Sequence, residues 1–366
     1  MKKTQQILTL VLSLGFIAVF AALFWILPDA DESTVERRHL AKSPALSLSS
    51  VADGSFMSGF EKYMLDQFPL RDGFRTLKAA ANAKVFMQKD NNGLYSVGEH
   101  LSKLDFPTDF DSVNRAAQRF RYVYDTYLKS PGVKTYLSVI PDKNVFIASP
   151  NGYPDKDYKA LVERLRNGFP EAKYIDISGL LSADDFYYTD SHWRQERILK
   201  VADEIADKLG AERIGPCEKH DAGVSFYGVY YGQAALPHAP ERLFYLDNAV
   251  IRGLQVYNVE TSSDIPVYDL GAAAGRDPYE MFLGGARSII KITNPNAAQE
   301  RRLIVFRDSF GSSIAPLLAA GYSEITLVDI RYISPLSLGK LIDFTKADDA
   351  LFLYSASVIN NSETIK

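Results

Sequence analysis

The feature that most limits what this chain can become is a stretch of 21 residues, Ile7 to Leu27, with no charged side chain. It matches the ~20 apolar residues that a helix needs to cross a hydrocarbon core. Lys2 and Lys3 precede it, and Asp29, Asp31 and Glu32 follow. That asymmetry keeps the N-terminus in the cytoplasm and sends the rest outward. A cleaved signal peptide has a shorter core, ~7–15 residues, and a small-x-small cleavage site. No good Ala-x-Ala site follows Leu27. The expectation is an uncleaved signal anchor, with secretion after cleavage as the alternative. Both readings export everything after Pro28.

The exported part has the composition of a folded body, with 46% hydrophobic and 23% charged residues over the chain. The net charge is −4 and no Lys/Arg-rich run is present, so nucleic acid is not an expected partner. Cys217 is the only cysteine, which rules out an internal disulfide and a multi-Cys metal site. Its scarcity also suits a protein outside the cytoplasm. The five histidines are scattered without an H-E-x-x-H pattern, so neither zinc nor any cofactor is expected.

Residues 1–28 therefore form the cytoplasmic start and anchor. Residues 29–54, polar with Ser and Pro, read as a linker. From 55 to 366 the pattern is that of one domain. Helical spacing runs from Ser55 to Gln88, interrupted at Pro69. Asp111 is a candidate cap for a helix to about Lys129. Strand-like runs at 135–140, 173–175, 303–306, 325–330 and 350–354 alternate with helical patterns at 157–167, 194–209, 312–320 and 335–344. Such alternation predicts an α/β fold, a mostly parallel sheet with helices on both faces. Residues 216–290 are rich in Gly, Tyr and Pro and read as a β-rich insertion.

Two motifs carry chemistry. Asp190-Ser191-His192-Trp193 lies in the turn before the helix 194–209, and Arg307-Asp308-Ser309-Phe310-Gly311 follows the strand 303–306. In open α/β sheets functional groups gather beyond the strand C-termini. A serine on a strand-to-helix turn projects its hydroxyl over the sheet edge, and its backbone N–H can serve an oxyanion hole. Serine is a weak nucleophile without a base. His192 can be that base, with Asp190 fixing its tautomer. The plainer alternatives are an N-cap pair for Asp308-Ser309 and a packed surface pair for His192-Trp193.

The first motif resembles that of the DHHW family, with Ser191 in place of its histidine. The wider resemblance is to SGNH-hydrolase-like proteins related to the alginate O-acetylation proteins, which carry Asp-x-His-Trp and a later Asp-Ser. Further blocks in the same order are similar to the family: Glu36-Arg37-Arg38-His39-Leu40, Asp66-Gln67-Phe68-Pro69-Leu70-Arg71, Ile140-Pro141-Asp142-Lys143, Phe226-Tyr227-Gly228, Phe282-Leu283-Gly284-Gly285 and Asp329-Ile330-Arg331-Tyr332. Ala286 departs from the pattern, where a polar residue, often Asn, would be expected.

The resemblance implies an SGNH-like fold in a single-pass bacterial membrane protein. It implies Ser309 as nucleophile, His192 as general base and Asp190 as its orienting partner. The implied activity is O-acetyl transfer to an exported or cell-surface polysaccharide, with a membrane-bound O-acyltransferase supplying acyl groups. A carbohydrate esterase and a non-catalytic glycan-binding or assembly factor are the alternatives.

Several residues are candidates for support or substrate contact. Trp193 can stack on a sugar or pack behind His192. Arg331 and Tyr332 follow a strand end. Arg331 can bind an anionic glycan, pair with Asp308 or make a plain salt bridge. Lys143 follows another strand end and is either solvated or in contact with substrate. Gly284 and Gly285 can bring backbone N–H groups to the site or simply turn the chain. Tyr187 and Tyr188 read as packing residues with polar tips.

Overall fold

The fold is that of a computed structural model, which describes residues 2–366. They form two compact units. One holds the chain through Asn92 together with Tyr231–Pro237. The other holds Gly93–Tyr230 and His238–Lys366.

The first unit begins with helix α1 (Lys2–Ile26), long and apolar enough to cross a membrane. Helices α2 (Ser55–Asp66) and α3 (Arg71–Lys84) follow. The break between them comes where Pro69 disfavours helical geometry at the residue before it, and Leu70 takes a left-handed φ of 58°. Within residues 29–54, Glu36 and Arg38 are tied to these helices by ion pairs. The Glu36 carboxylate meets Arg71 at 2.6 Å and Arg75 at 3.1 Å, and Asp66 meets Arg38 at 2.6 Å.

The second unit is built on an eight-stranded sheet. Its elements are α4 (Phe110–Val123), β1 (Lys134–Ile140), α5 (Tyr158–Gly168), β2 (Lys173–Tyr174) and α6 (Leu199–Leu209). A hairpin of β3 (Glu218–Phe226) and β4 (Glu241–Asp247) comes next, then β5 (Gln255–Asn258), β6 (Ser263–Ile265) and β7 (Ile289–Thr293). The chain closes with β8 (Arg302–Arg307), α7 (Phe310–Ile314), β9 (Glu324–Val328), β10 (Asp349–Ser355) and α8 (Ala356–Asn360). The sheet order is β6-β5-β7-β9-β8-β10-β1-β2. The pairs from β9 to β2 are parallel, and β6, β5 and β7 add an antiparallel flank.

Alternation explains the two-faced burial. Leu303 and Val305 of β8 join one core with Val201 and Ile205 of α6. Ile304 and Phe306 point the other way, into a core with Val113 and Phe120 of α4 and Leu161 and Leu165 of α5. Both faces are covered by helices, as the strand pattern predicts.

Details differ from the sequence expectation. Asp109, not Asp111, caps α4. Its backbone is extended, so its carboxylate turns back to accept from the N–H groups of Asp111 and Ser112. The 194–209 helix starts only at Leu199, after a 3-10 turn at Gln195–Arg197. The predicted helix 312–320 is a short α7 followed by 3-10 geometry over Ala315–Gly321, where Pro316 removes a backbone donor. Pro335–Lys340 is likewise 3-10. Of residues 216–290, only β3 and β4 stand apart as a hairpin. Strands β5 and β6 extend the main sheet because Val256 and Asn258 are buried against it.

Candidate active site

Strand β8 lies between β9 and β10, and the chain leaves it for one neighbour and later returns to the other. That is the topological switch point of the sheet, where such folds place ligands. Just beyond its C-terminus come Asp308 and Ser309, and Ser309 opens α7.

The other half of the site is a tight hairpin. Phe186 and Trp193 bridge antiparallel, the Tyr187 N–H donates to the His192 carbonyl at 3.1 Å, and the Arg194 N–H donates to the Asp185 carbonyl at 2.8 Å. Asp190 sits at its tip, 1% exposed. Its Oδ1 accepts the His192 backbone N–H at 3.1 Å and lies 2.6 Å from His192 Nδ1. Its Oδ2 accepts the Val229 N–H at 2.8 Å. His192 Nε2 is 2.7 Å from Ser309 Oγ. With a proton on Nδ1 the ring satisfies Asp190 and leaves Nε2 as an acceptor for the Ser309 hydroxyl. The Tyr279 ring stacks on the imidazole at 3.9 Å and 13°. Asp190, His192 and Ser309, 117 residues apart at the widest step, thus form one hydrogen-bonded line.

Lys143 requires a correction. It is neither solvated nor free to meet substrate, being 2% exposed. Its Nζ donates to the carbonyls of Tyr187, Tyr188 and Asp190 at 2.8, 3.0 and 2.9 Å. Three acceptors match the three donors of an ammonium. Burial nevertheless pulls its pKa down to about 7, with the Asp190 and Glu241 carboxylates acting against that fall. Glu241 holds the same hairpin from its N–H side. It accepts from the Tyr188 and Thr189 N–H groups at 2.7 and 2.8 Å, from Thr189 Oγ1 at 2.9 Å and from Arg194 at 2.7 Å.

The remaining candidates fall into place around this core. Trp193 is fully buried. Its Nε1 donates to Ser313 Oγ at 2.8 Å, and its ring meets Phe310 edge-on at 5.3 Å. It packs behind the site and offers no face to a sugar. Asp308 is fully buried and accepts from the Phe310 N–H at 3.1 Å and the Ser355 N–H at 2.7 Å, fixing the turn that carries Ser309. Arg331 pairs with Asp329 at 2.9 and 2.7 Å rather than with Asp308, and Tyr332, half exposed, lies under its guanidinium. Gly284 and Gly285 have φ of 69° and 77°, and the space beside them is taken by Ile265, Arg287 and Glu280. They turn the chain. Tyr187 is buried, as a packing residue, while Tyr188 offers its backbone to Lys143 and Glu241. Among the described residues no group of three or more His, Cys, Asp or Glu is placed to hold a metal ion.

Sequence reasoning missed Glu241, Tyr279, Ser313 and the Val229 N–H. Gly228 alone carried a signal, within Phe226-Tyr227-Gly228. A Cβ there would lie 2.2 Å from the Thr189 carbonyl oxygen, so only glycine lets the two segments touch.

No family model and no curated protein matches the sequence. Solved structures do. A DHHW family protein from Eubacterium siraeum superposes with a TM-score of 0.60 at 19% identity, covering 75% of this chain and 95% of its own. Bacillus cereus PatB1, solved with a sulfonyl adduct, superposes with a TM-score of 0.59 at 18% identity, covering 73% of this chain and 95% of its own. In fold, therefore, the chain is similar to a DHHW family protein and to PatB1 over nearly the whole length of each.

Proposed function

We propose that this protein moves an acyl group, in the simplest case acetyl, through an ester on Ser309 to a hydroxyl of an exported or cell-surface polysaccharide. The observation that carries the reading is the hydrogen-bonded line from Asp190 through His192 to Ser309, at 2.6 and 2.7 Å. In the first half-reaction Ser309 Oγ attacks the donor's acyl carbonyl while His192 Nε2 takes the hydroxyl proton. Collapse of the tetrahedral species expels the donor's leaving group, which receives that proton. In the second half-reaction a sugar hydroxyl gives its proton to His192 and attacks the acyl-serine. The proton then returns to Ser309. Asp190 keeps the ring oriented and stabilises the imidazolium.

The developing oxyanion needs donors. The Phe310 N–H is engaged by Asp308 at 3.1 Å, and Ala286 has no polar side chain. The Ser309 N–H, at the head of α7, is the donor we assign. Helix α1 holds the protein on the outer face of the membrane as an uncleaved anchor, where a membrane-bound acyltransferase can supply the donor.

The test uses the full-length protein with an acetyl ester and a polysaccharide acceptor. Acetylated glycan supports transfer, and free acetate alone supports an esterase. A sulfonyl fluoride should add its mass at Ser309 and not to Ser309→Ala. Undiminished turnover by Ser309→Ala would overturn the assignment.

A further inference from the structure

Beyond the active site, the first unit carries an apolar corner beside the anchor. The C-terminal end of α2, the Phe68-Pro69-Leu70 bend and the first turns of α3 present Met64, Leu65, Phe68, Leu70, Phe74 and Leu77 at the surface. Leu70 is 73% exposed and Leu77 is 64% exposed. The side of α3 turned toward the unit carries the buried Ala79 and, flanking it, Arg71 and Arg75, both engaged by Glu36. This is the composition of a helix that lies in a membrane interface.

The anchor sets the depth of this corner. The Phe20 ring stacks on Phe68 at 5.4 Å and 1°, and meets Phe74 edge-on at 5.4 Å. Phe20 lies six residues before the end of α1 at Ile26, about 9 Å along the axis at ~1.5 Å per residue. The apolar run that ends at Leu27 is about as long as the ~30 Å hydrocarbon core is thick, so its end marks the outer edge of that core. Phe20 is thus well inside the outer leaflet, and rings stacked on it share its depth. The polar groups begin where they should. Tyr63 packs on Phe24 at 5.4 Å, nearer the edge, and its hydroxyl donates to Asp29 at 3.0 Å.

We propose that the α2–α3 corner is inserted in the outer leaflet of the membrane that α1 crosses. The protein then has a second, monotopic hold that fixes the first unit against the bilayer. This rests on reading α1 as a membrane span. Exposed apolar side chains that would be a liability in water become lipid contacts. The occupant is the acyl-chain region itself, because the depth comes from α1 and not from the patch alone.

The test is a depth measurement on the full-length protein in phosphatidylethanolamine/phosphatidylglycerol vesicles. Cys217, the only cysteine, is replaced by serine. Single cysteines then carry a nitroxide at Ile17, Lys62, Leu70 or Leu77. Collision with oxygen against a water-soluble nickel chelate reports depth. Labels at 70 and 77 should favour oxygen several-fold over the label at 62 and approach the value at 17. If 17 favours oxygen while 70 and 77 match 62, the corner is in water and the proposal fails alone. If 17 is itself nickel-accessible, the membrane reading of α1 fails with it. If labels at 70 and 77 are shielded from both reagents, protein covers the patch and the lipid assignment is overturned.

Discussion

Gly228→Ala tests whether the hairpin's position, and not only its residues, makes the site. The alanine Cβ would stand 2.2 Å from the Thr189 carbonyl oxygen and 2.4 Å from Asp190 Cβ, where ordinary contact begins at 3.4 Å. Something must move by about 1.2 Å, the difference between 3.4 and 2.2 Å. Thr189 is tied to Glu241 at 2.8 and 2.9 Å, and the Asp190 carbonyl to Lys143 at 2.9 Å. The shift therefore falls on the loop that aims Asp190 at His192, where the hydrogen bond is 2.6 Å. A misplacement of about 1 Å in a reacting constellation costs roughly 100-fold in rate. Overpacking of this kind costs about 1–3 kcal/mol in stability. Steady-state hydrolysis of an acetyl ester should show kcat down about 100-fold with KM little changed. Circular dichroism and a melting curve establish that the variant is folded. A folded Gly228→Ala with wild-type kcat would refute the claim that this contact positions Asp190.

Three further outcomes follow from the same geometry. Lys143→Met leaves three carbonyl acceptors without their donor and should cost on the order of 3 kcal/mol in denaturant unfolding. Because burial lowers the folded pKa of Lys143 to about 7 from 10.5, the folded state sheds its proton first as pH rises. The stability tied to the neutral amine is complete above 10.5 and is lost as pH falls through about 7, so wild type should gain on Lys143→Met between these values, and parallel pH curves would refute this. Trp193→Phe removes the donor to Ser313 and should lower stability by about 1–2 kcal/mol without raising KM for the glycan, and a large rise in that KM would reinstate sugar stacking. Asp308→Asn turns one acceptor into a donor facing an N–H, so it should destabilise the fold by about 2 kcal/mol or more, read by chemical denaturation.

Legibility in the sequence followed the range of the interaction. The strand at 303–306 and the amphipathic helix expected at 194–209 are written in local periodicity, and both appear, the helix from Leu199. Asp190 and His192 are two residues apart, and Ser309 sits on a strand-to-helix turn, so each had a local signal. Lys143 looked like any lysine past a strand end. What buries it is a set of carbonyls 44 to 47 residues away, and backbone carbonyls leave no trace in residue identity. Glu241 was equally silent, because its partners are main-chain N–H groups 52 and 53 residues distant. For Arg331 the sequence left an anionic glycan, Asp308 and a plain salt bridge open, because Asp308 and Asp329 directly follow β8 and β9 alike, and the fold pairs it with Asp329.

The two silent residues divide one task. A hairpin tip exposes peptide groups on both sides, and in a buried setting each must be satisfied. Lys143 takes the carbonyls and Glu241 takes the N–H groups, so a buried amine donor and a carboxylate acceptor grip opposite edges of the same loop. These contacts add to those of the Asp190 carboxylate, which itself accepts the His192 and Val229 N–H groups. Asp190 can spend both oxygens on His192 and the Val229 N–H, and His192 keeps Nε2 for Ser309. Electrostatic stabilisation of a transition state works through groups already in position when charge develops. A loop pinned through its backbone by Lys143 and Glu241 meets that requirement for the proposed Asp190–His192–Ser309 line.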